Sequence, residues 1–194
     1  MKGNARPSLF DTTAAFDDPL EMLLACHRRI EKQLQTLERL RGHLQSKGVD
    51  AEASSAAQGL LRYFMHAAVD HHADEENDLF PLLEVRISDA GDGERFRQVR
   101  QSLEREHREV EAQWARLRKP LEAIADGFSR TLGEADVRAF AEAYERHIQV
   151  EEAALHEFFE RFIGPEDRAA LGSSMSARRS RKMGSDPFFR NKGV

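Results

Sequence analysis

Apolar residues recur at steps of three and four in four long stretches of this chain, and this periodicity constrains its fold most. Such spacing places the apolar side chains on one face of an α-helix, where they can form the core of a helix bundle. The stretches cover residues 19–48, 54–87, 96–127 and 137–164, and the connections between them leave no room for strands. The sequence therefore predicts an all-α protein that folds as an antiparallel up-down four-helix bundle.

The bundle is expected to form one domain over residues 17–171, an ordinary size for a single core. We expect residues 1–16 to be a flexible N-terminal segment. A Gly-Pro pair at 164–165 ends the fourth helix, and a short helical turn is expected to follow it. The basic, Ser-rich residues 172–194 lack apolar periodicity, and we expect them to form a disordered tail.

Charge is divided unevenly along the chain, whose formal net charge is −5. Residues 173–194 hold six basic side chains and one acidic side chain, so the other residues carry 23 basic and 33 acidic ones, a net charge of −10. An acidic body argues against nucleic acid as a partner. No apolar run predicts a membrane span, no signal peptide is evident, and the single cysteine, Cys26, excludes an internal disulfide. Together these features favour a cytoplasmic protein without a membrane partner.

Six polar side chains interrupt the apolar faces at positions where a bundle core needs Leu or Phe. Each helix contributes one histidine near its middle, and the second and fourth helices add a glutamate one turn later on the same face. Burying an imidazole or a carboxylate without a partner is costly, so six such groups at one level need a common partner. A pair of metal ions is the simplest one. The predicted metal-binding residues are His27, His71, Glu75, His107, His147 and Glu151.

An internal repeat supports this assignment. When the His-x-x-x-Glu motifs that begin at His71 and His147 are aligned, the apolar residues on both sides of them also match. The chain therefore consists of two helical hairpins related by a pseudo-two-fold axis, which predicts a symmetric site for two metal ions. The adjacent His72 aligns with Ile148, off the apolar face, so we expect it to support a ligand or to lie at the surface.

The donor types narrow the choice of metal. Neutral imidazole and carboxylate suit iron, manganese or zinc, whereas the lack of thiolate ligands disfavours copper(I). The segment Glu104-x-x-His107 matches half of the ferritin-like Glu-x-x-His pattern, which needs a second copy that this chain lacks. Glu76, Glu152 and Asp74 are candidates to orient the histidines through hydrogen bonds.

The residues HHADEE at 71–76 and HIQVEE at 147–152 resemble the paired motif of hemerythrin-like (HHE cation-binding) domains. The resemblance implies a non-haem centre of two oxo- or hydroxo-bridged iron ions, with the four histidines as terminal ligands and the two glutamates as bridges. Oxygen-carrying hemerythrins use a fifth histidine, and none of the remaining histidines here combines a position on the apolar face with the right level. These histidines are His43, His66, His72 and His156. The expected ligand set therefore resembles that of the iron-centre repair proteins of the same superfamily.

The leading hypothesis for the function is a non-haem di-iron protein that binds or senses dioxygen or nitric oxide, or that handles iron. Two histidines and two bridging carboxylates would fill about four of the roughly six positions around each iron, which leaves space for a small ligand. The alternatives are a di-iron redox enzyme that acts on peroxide, dioxygen or nitric oxide, and a donor of iron for iron-centre repair. The sequence alone leaves open whether the protein is an enzyme.

Overall fold

The computed structural model describes residues 18–129 and 131–183, with side chains up to residue 180. This part of the chain contains five helices and no strand, which confirms the predicted all-α class. The helices are α1 Pro19–Lys47, α2 over residues 51–86, α3 Ala90–Ala125, α4 Glu134–Phe162 and α5 Pro165–Met183. None of them combines the length with the apolar character that crossing a membrane needs. The predicted flexible segment, 1–16, lies outside the described residues, as does the chain from 184 onward.

Aspartate caps set the starts of the first three helices. Each accepts a hydrogen bond of 2.9 Å from a backbone N–H of the first turn: Asp18 from Leu20, Asp50 from Ala53, and Asp89 from Asp92. Such caps satisfy backbone donors that have no partner inside the helix. For this reason α2 and α3 begin several residues before the apolar periodicity predicts.

The four long helices pack in a ring, in which α1 and α3 each contact both α2 and α4. Their inward faces form two apolar clusters. The first cluster includes Ile30, Leu60, Phe64, Leu117 and Phe140, and the second includes Leu23, Leu83, Phe96, Leu103 and Phe158. Buried histidines in each long helix lie between residues of the two clusters along the sequence. The apolar clusters thus set the level at which the polar side chains meet.

Helix α2 departs from regular α-helix in two places. Tyr63–Ala67 and Glu75–Leu79 are π-helical, and they flank the regular segment Ala68–Asp74. A π turn closes its backbone hydrogen bonds over five residues instead of four, so it changes which side chains face the core. The polar residues buried around this segment are Asp70, His71, His72, Asp74 and Glu75. Regular helical periodicity does not predict such a dense run of buried residues.

The structure corrects the prediction for residues 165–183, whereas residues 184–194 lie outside the part of the chain that it describes. A short turn and a disordered tail over 172–194 are expected from composition, but Pro165–Met183 forms one helix. Leu171 and Met175 bury their side chains in the second apolar cluster. Two arginines of the same helix form ion pairs with Asp74 on α2. Composition alone does not reveal these contacts, because they depend on a partner elsewhere in the fold.

The substitution Met175→Ala tests the packing of α5. The Met175 side chain is 2% exposed, so its truncation should lower the free energy of unfolding by about 2–4 kcal/mol in a urea titration. The matched control is Val85→Ala on α2, where the side chain is 74% exposed. We expect this control to change stability by less than about 0.5 kcal/mol. Equally small effects from both substitutions would show that α5 does not pack on the other helices.

Candidate metal centre

All six side chains predicted to bind metal are buried in the interior, and none is more than 3% exposed. They are His27 on α1, His71 and Glu75 on α2, His107 on α3, and His147 and Glu151 on α4. A seventh polar side chain, His72, is 8% exposed and lies among them. The structure therefore brings together every predicted residue and adds one more.

Four of these side chains form a first cluster, here called the two-histidine cluster. One potential ligand atom from each residue lies within 4.8 Å of the others: His27, His71, Glu75 and Glu151. The Nε2 atoms of His27 and His71 are 3.1 Å apart, and Glu151 Oε2 is 3.1 Å from His27 Nε2. Glu75 Oε1 is 3.1 Å from His71 Nδ1. Two imidazoles and two carboxylates thus converge on one small volume.

His72, His107 and His147 form a second group within the same distance limit, here called the three-histidine cluster. The rings of His72 and His107 stack, with centroids 4.0 Å apart and 14° between their planes. The two glutamates reach this cluster as well. Glu75 Oε2 is 3.0 Å from His107 Nε2, and Glu151 Oε2 is 3.3 Å from His147 Nε2. Both carboxylates therefore contact both clusters.

The structure excludes one of the two places expected for His72, the surface. The repeat alignment gives it a supporting or surface role, but it is buried and belongs to the three-histidine cluster. The physical reason is that the buried face of the helix includes neighbouring residues: His71 and His72 lie together in the regular segment Ala68–Asp74, and both are buried. A signal for this was present, because Ile148, the residue aligned with His72, is apolar and is itself buried.

Three of the histidines donate their outer nitrogen, Nδ1, to a carboxylate outside the clusters. The distances are 2.9 Å from His27 to Glu152, 2.6 Å from His107 to Glu76, and 3.4 Å from His147 to Glu106. Such bonds fix the orientation of an imidazole and direct its other nitrogen toward a metal ion. The predicted orienting roles of Glu76 and Glu152 are confirmed, whereas Asp74 binds arginines instead. Sequence reasoning missed Glu106, which directly precedes His107 on α3 but pairs with His147 of α4.

Several inner atoms of the clusters make no hydrogen bond of suitable geometry among the described residues, although some lie 3.0–3.3 Å from an atom of a neighbouring cluster residue. They are Nδ1 of His71, Nε2 of His72, His107 and His147, and both carboxylate oxygens of Glu75. Each polar atom left buried in this way costs about 1–3 kcal/mol. A metal ion satisfies imidazole nitrogen and carboxylate oxygen together, and this donor set fits iron, manganese or zinc. The residues present therefore fit a metal centre.

Burial and charge act in opposite directions on the metal-free side chains. Burial lowers the pKa of His71 and His72 well below the ordinary range, which favours the neutral form that binds metal. Burial also acts to lower the pKa of His27 and His147, but neighbouring carboxylates outweigh it and raise these values to about 9 and about 10. Burial raises the pKa of Glu75 well above its usual value. In the metal-free protein, some of the side chains that would bind a metal ion therefore carry protons instead.

One known protein family matches most of this chain. The family model described as the hemerythrin HHE cation binding domain matches residues 18–159, which include both histidine clusters. The chain belongs to this family. An uncharacterized protein of Haemophilus influenzae is 30% identical to it over 169 residues, which cover 87% of this chain and 94% of that protein. The matched part of the HHE domain ends before α5 begins.

Metal binding to this HHE domain at neutral pH should displace protons. His27 and His147 have raised pKa values of about 9 and about 10, so both are protonated in the metal-free protein and must lose that proton to bind metal. Zinc added in weak buffer at about pH 7 should release about two protons per chain or more, and apparent affinity should rise with pH toward about 9.

An indicator dye in the same titration measures the released protons. The variant His147→Ala should release about one proton fewer than the wild type, whereas His66→Ala, which removes an exposed histidine, should match it. Zinc binding without proton release would contradict the raised pKa values of His27 and His147.

Proposed function

We propose that this protein is a non-haem di-iron protein, built on an up-down four-helix bundle, that binds or senses dioxygen or nitric oxide. The observation that carries the proposal is the pair of adjoining histidine clusters with two buried glutamates in contact with both. In this proposal His27 and His71 would hold one iron, His72, His107 and His147 would hold the other, and Glu75 and Glu151 would serve both. Membership of a cation-binding family supports the metal, whereas iron and the number of ions are part of the proposal.

The two ions would not be equivalent, because the histidines are divided two to three. With two shared carboxylates, the two-histidine ion would have about four protein donors and the three-histidine ion about five, of the roughly six that iron prefers. His72 would thus be the fifth histidine ligand, for which the sequence alone offers no candidate. An ion with positions left open can take an external ligand, whereas a fully coordinated ion has a structural role. The two-histidine cluster is therefore the proposed ligand-binding side.

A cavity of about 10 Å³ adjoins this side and reaches His27 and Glu151. A volume of this size holds about one water-sized molecule. Apolar side chains form most of the remaining wall: Leu20, Leu23, Leu24, Leu79, Leu155 and Phe159. Such walls suit a small uncharged molecule and exclude bulky or charged substrates. The cavity supports dioxygen or nitric oxide as the ligand.

Bound iron would supply the redox chemistry and the exchangeable position, while the side chains of the chain set its surroundings. The leucines and Phe159 form the apolar part of the cavity wall, and Glu152 and His156 complete it. The hydrogen bond from His27 to Glu152 holds the imidazole that faces the cavity in one orientation. The ligand would therefore meet a rigid and mostly apolar site.

Protein produced with ample iron and purified without air should contain about two iron ions per chain. Its optical spectrum should change when dioxygen or nitric oxide is added and should return when the gas is removed. Sustained consumption of peroxide or dioxygen with a reductant would instead indicate a redox enzyme, and transfer of iron to a metal-free acceptor an iron donor. A firm measurement of one ion or none would contradict the two-iron site.

The substitution His72→Ala tests the three-histidine cluster. Loss of one of its three imidazoles should lower the iron content toward about one ion per chain and alter the optical spectrum. The matched control is His66→Ala, which removes an exposed histidine of the same helix, and it should leave both unchanged. Equal iron content and identical spectra in the two variants would remove His72 from the ligand set.

A further inference from the structure

Asp74 is a buried carboxylate beside the metal centre that belongs to neither histidine cluster. It follows His71 by three residues and directly precedes Glu75. Its side chain is 0% exposed, and its two oxygens bind two guanidinium groups. Oδ1 accepts a hydrogen bond from Arg178, and Oδ2 is 2.6 Å from Nη2 of Arg179. Both arginines lie on α5, outside the region that the family model matches.

The contact between α5 and α2 extends over the next helical turn. Arg178 Nη2 also lies 2.7 Å from Asp78 Oδ2, and the Ser174 hydroxyl donates to the same oxygen at 3.1 Å. Helix α5 therefore contacts α2 on both sides of Glu75, the residue at which the second π turn begins. Removing one partner of a buried ion pair leaves an uncompensated charge, so contacts of this kind strongly restrain the chain that carries them.

His71 and Glu75 need such a restraint more than His27, His107 and His147 do. The rings of His27, His107 and His147 are each held by a carboxylate outside the clusters. By contrast, His71 and Glu75 contact other members of the clusters: His71 Nε2 lies 3.1 Å from His27 Nε2, and the Glu75 oxygens lie 3.1 Å from His71 Nδ1 and 3.0 Å from His107 Nε2. Their positions therefore depend on the backbone of α2, and π turns flank that backbone on both sides.

We propose that Arg178 and Arg179 are positioning residues of the metal centre, which hold Asp74 and thereby fix the part of α2 that carries His71 and Glu75. The inference rests on the metal site proposed above. Met175 seats α5 in the second apolar cluster, one turn before the arginines, and so keeps them against α2. In this way the C-terminal helix helps to position the ligands of the metal centre.

The test is the rate at which iron-loaded, full-length protein loses iron to an excess of chelator. The double variant Arg178→Gln with Arg179→Gln should lose iron about tenfold faster than the wild type or more, the range found for contacts that orient metal ligands. The matched control, Arg86→Gln, removes an exposed ion pair of 2.7 Å between α2 and Asp167 at the start of α5. This control should stay within about twofold of the wild type, because exposed pairs contribute little.

A second variant, Asp74→Asn, keeps the test independent of any folding defect in the arginine variant. It should also accelerate iron loss, and adding it to the double arginine variant should produce no further acceleration, because both changes break the same contact. Metal-free forms of all variants should keep wild-type helix content by circular dichroism.

Iron loss at the wild-type rate in the arginine variant, or fully additive effects with Asp74→Asn, would overturn the positioning role. If the wild-type protein binds no iron at all, the proposed function fails and this inference with it. If the wild type holds two ions and the variants release them normally, only the inference fails.

Discussion

Seven buried ionisable side chains form the two histidine clusters of this helical protein, and the need of each for a partner governs the rest of the structure. Apolar clusters on either side of them bring four helices to one level, so the imidazoles and the two glutamates converge. Outer carboxylates then fix three of the rings. Without metal, the inner atoms compete for protons or remain unpaired, which is unfavourable in a dry interior. A bound metal pair would resolve this conflict, and so would join folding to metal binding.

The sequence predicts the helices and six of the clustered residues, because both follow from one regular periodicity over long stretches. The same regularity explains the error at His72. The periodicity selects about one residue per turn for the core face, but the buried face is wide enough for neighbouring residues, and in the regular helix α4 both His147 and Ile148 are buried. The error at α5 has another cause. Arg178 and its partner Asp74 are 104 residues apart in the sequence, and composition indicates nothing of such a pairing.

The two halves of the internal repeat hold their ligands by different means. In the second half, Glu106, the residue directly before the α3 histidine, binds the outer nitrogen of His147. The corresponding residue in the first half, directly before the α1 histidine, is Cys26. A cysteine cannot replace the carboxylate, and His71 accordingly has no partner for Nδ1 outside the clusters among the described residues. The pseudo-two-fold symmetry that predicts the site therefore does not extend to this outer hydrogen bond.

Cys26 also connects this asymmetry to α5. Its sulfur lies 3.6 Å from Nη2 of Arg179, the same nitrogen that pairs with Asp74. A glutamate at this position, as in the other half, would compete with Asp74 for the guanidinium group of Arg179. The cysteine sulfur is only a weak acceptor, so the guanidinium group pairs with the aspartate. In the second half, a carboxylate of its own helices restrains the ligands. In the first half, α5 provides this restraint through the contact between Arg179 and Asp74.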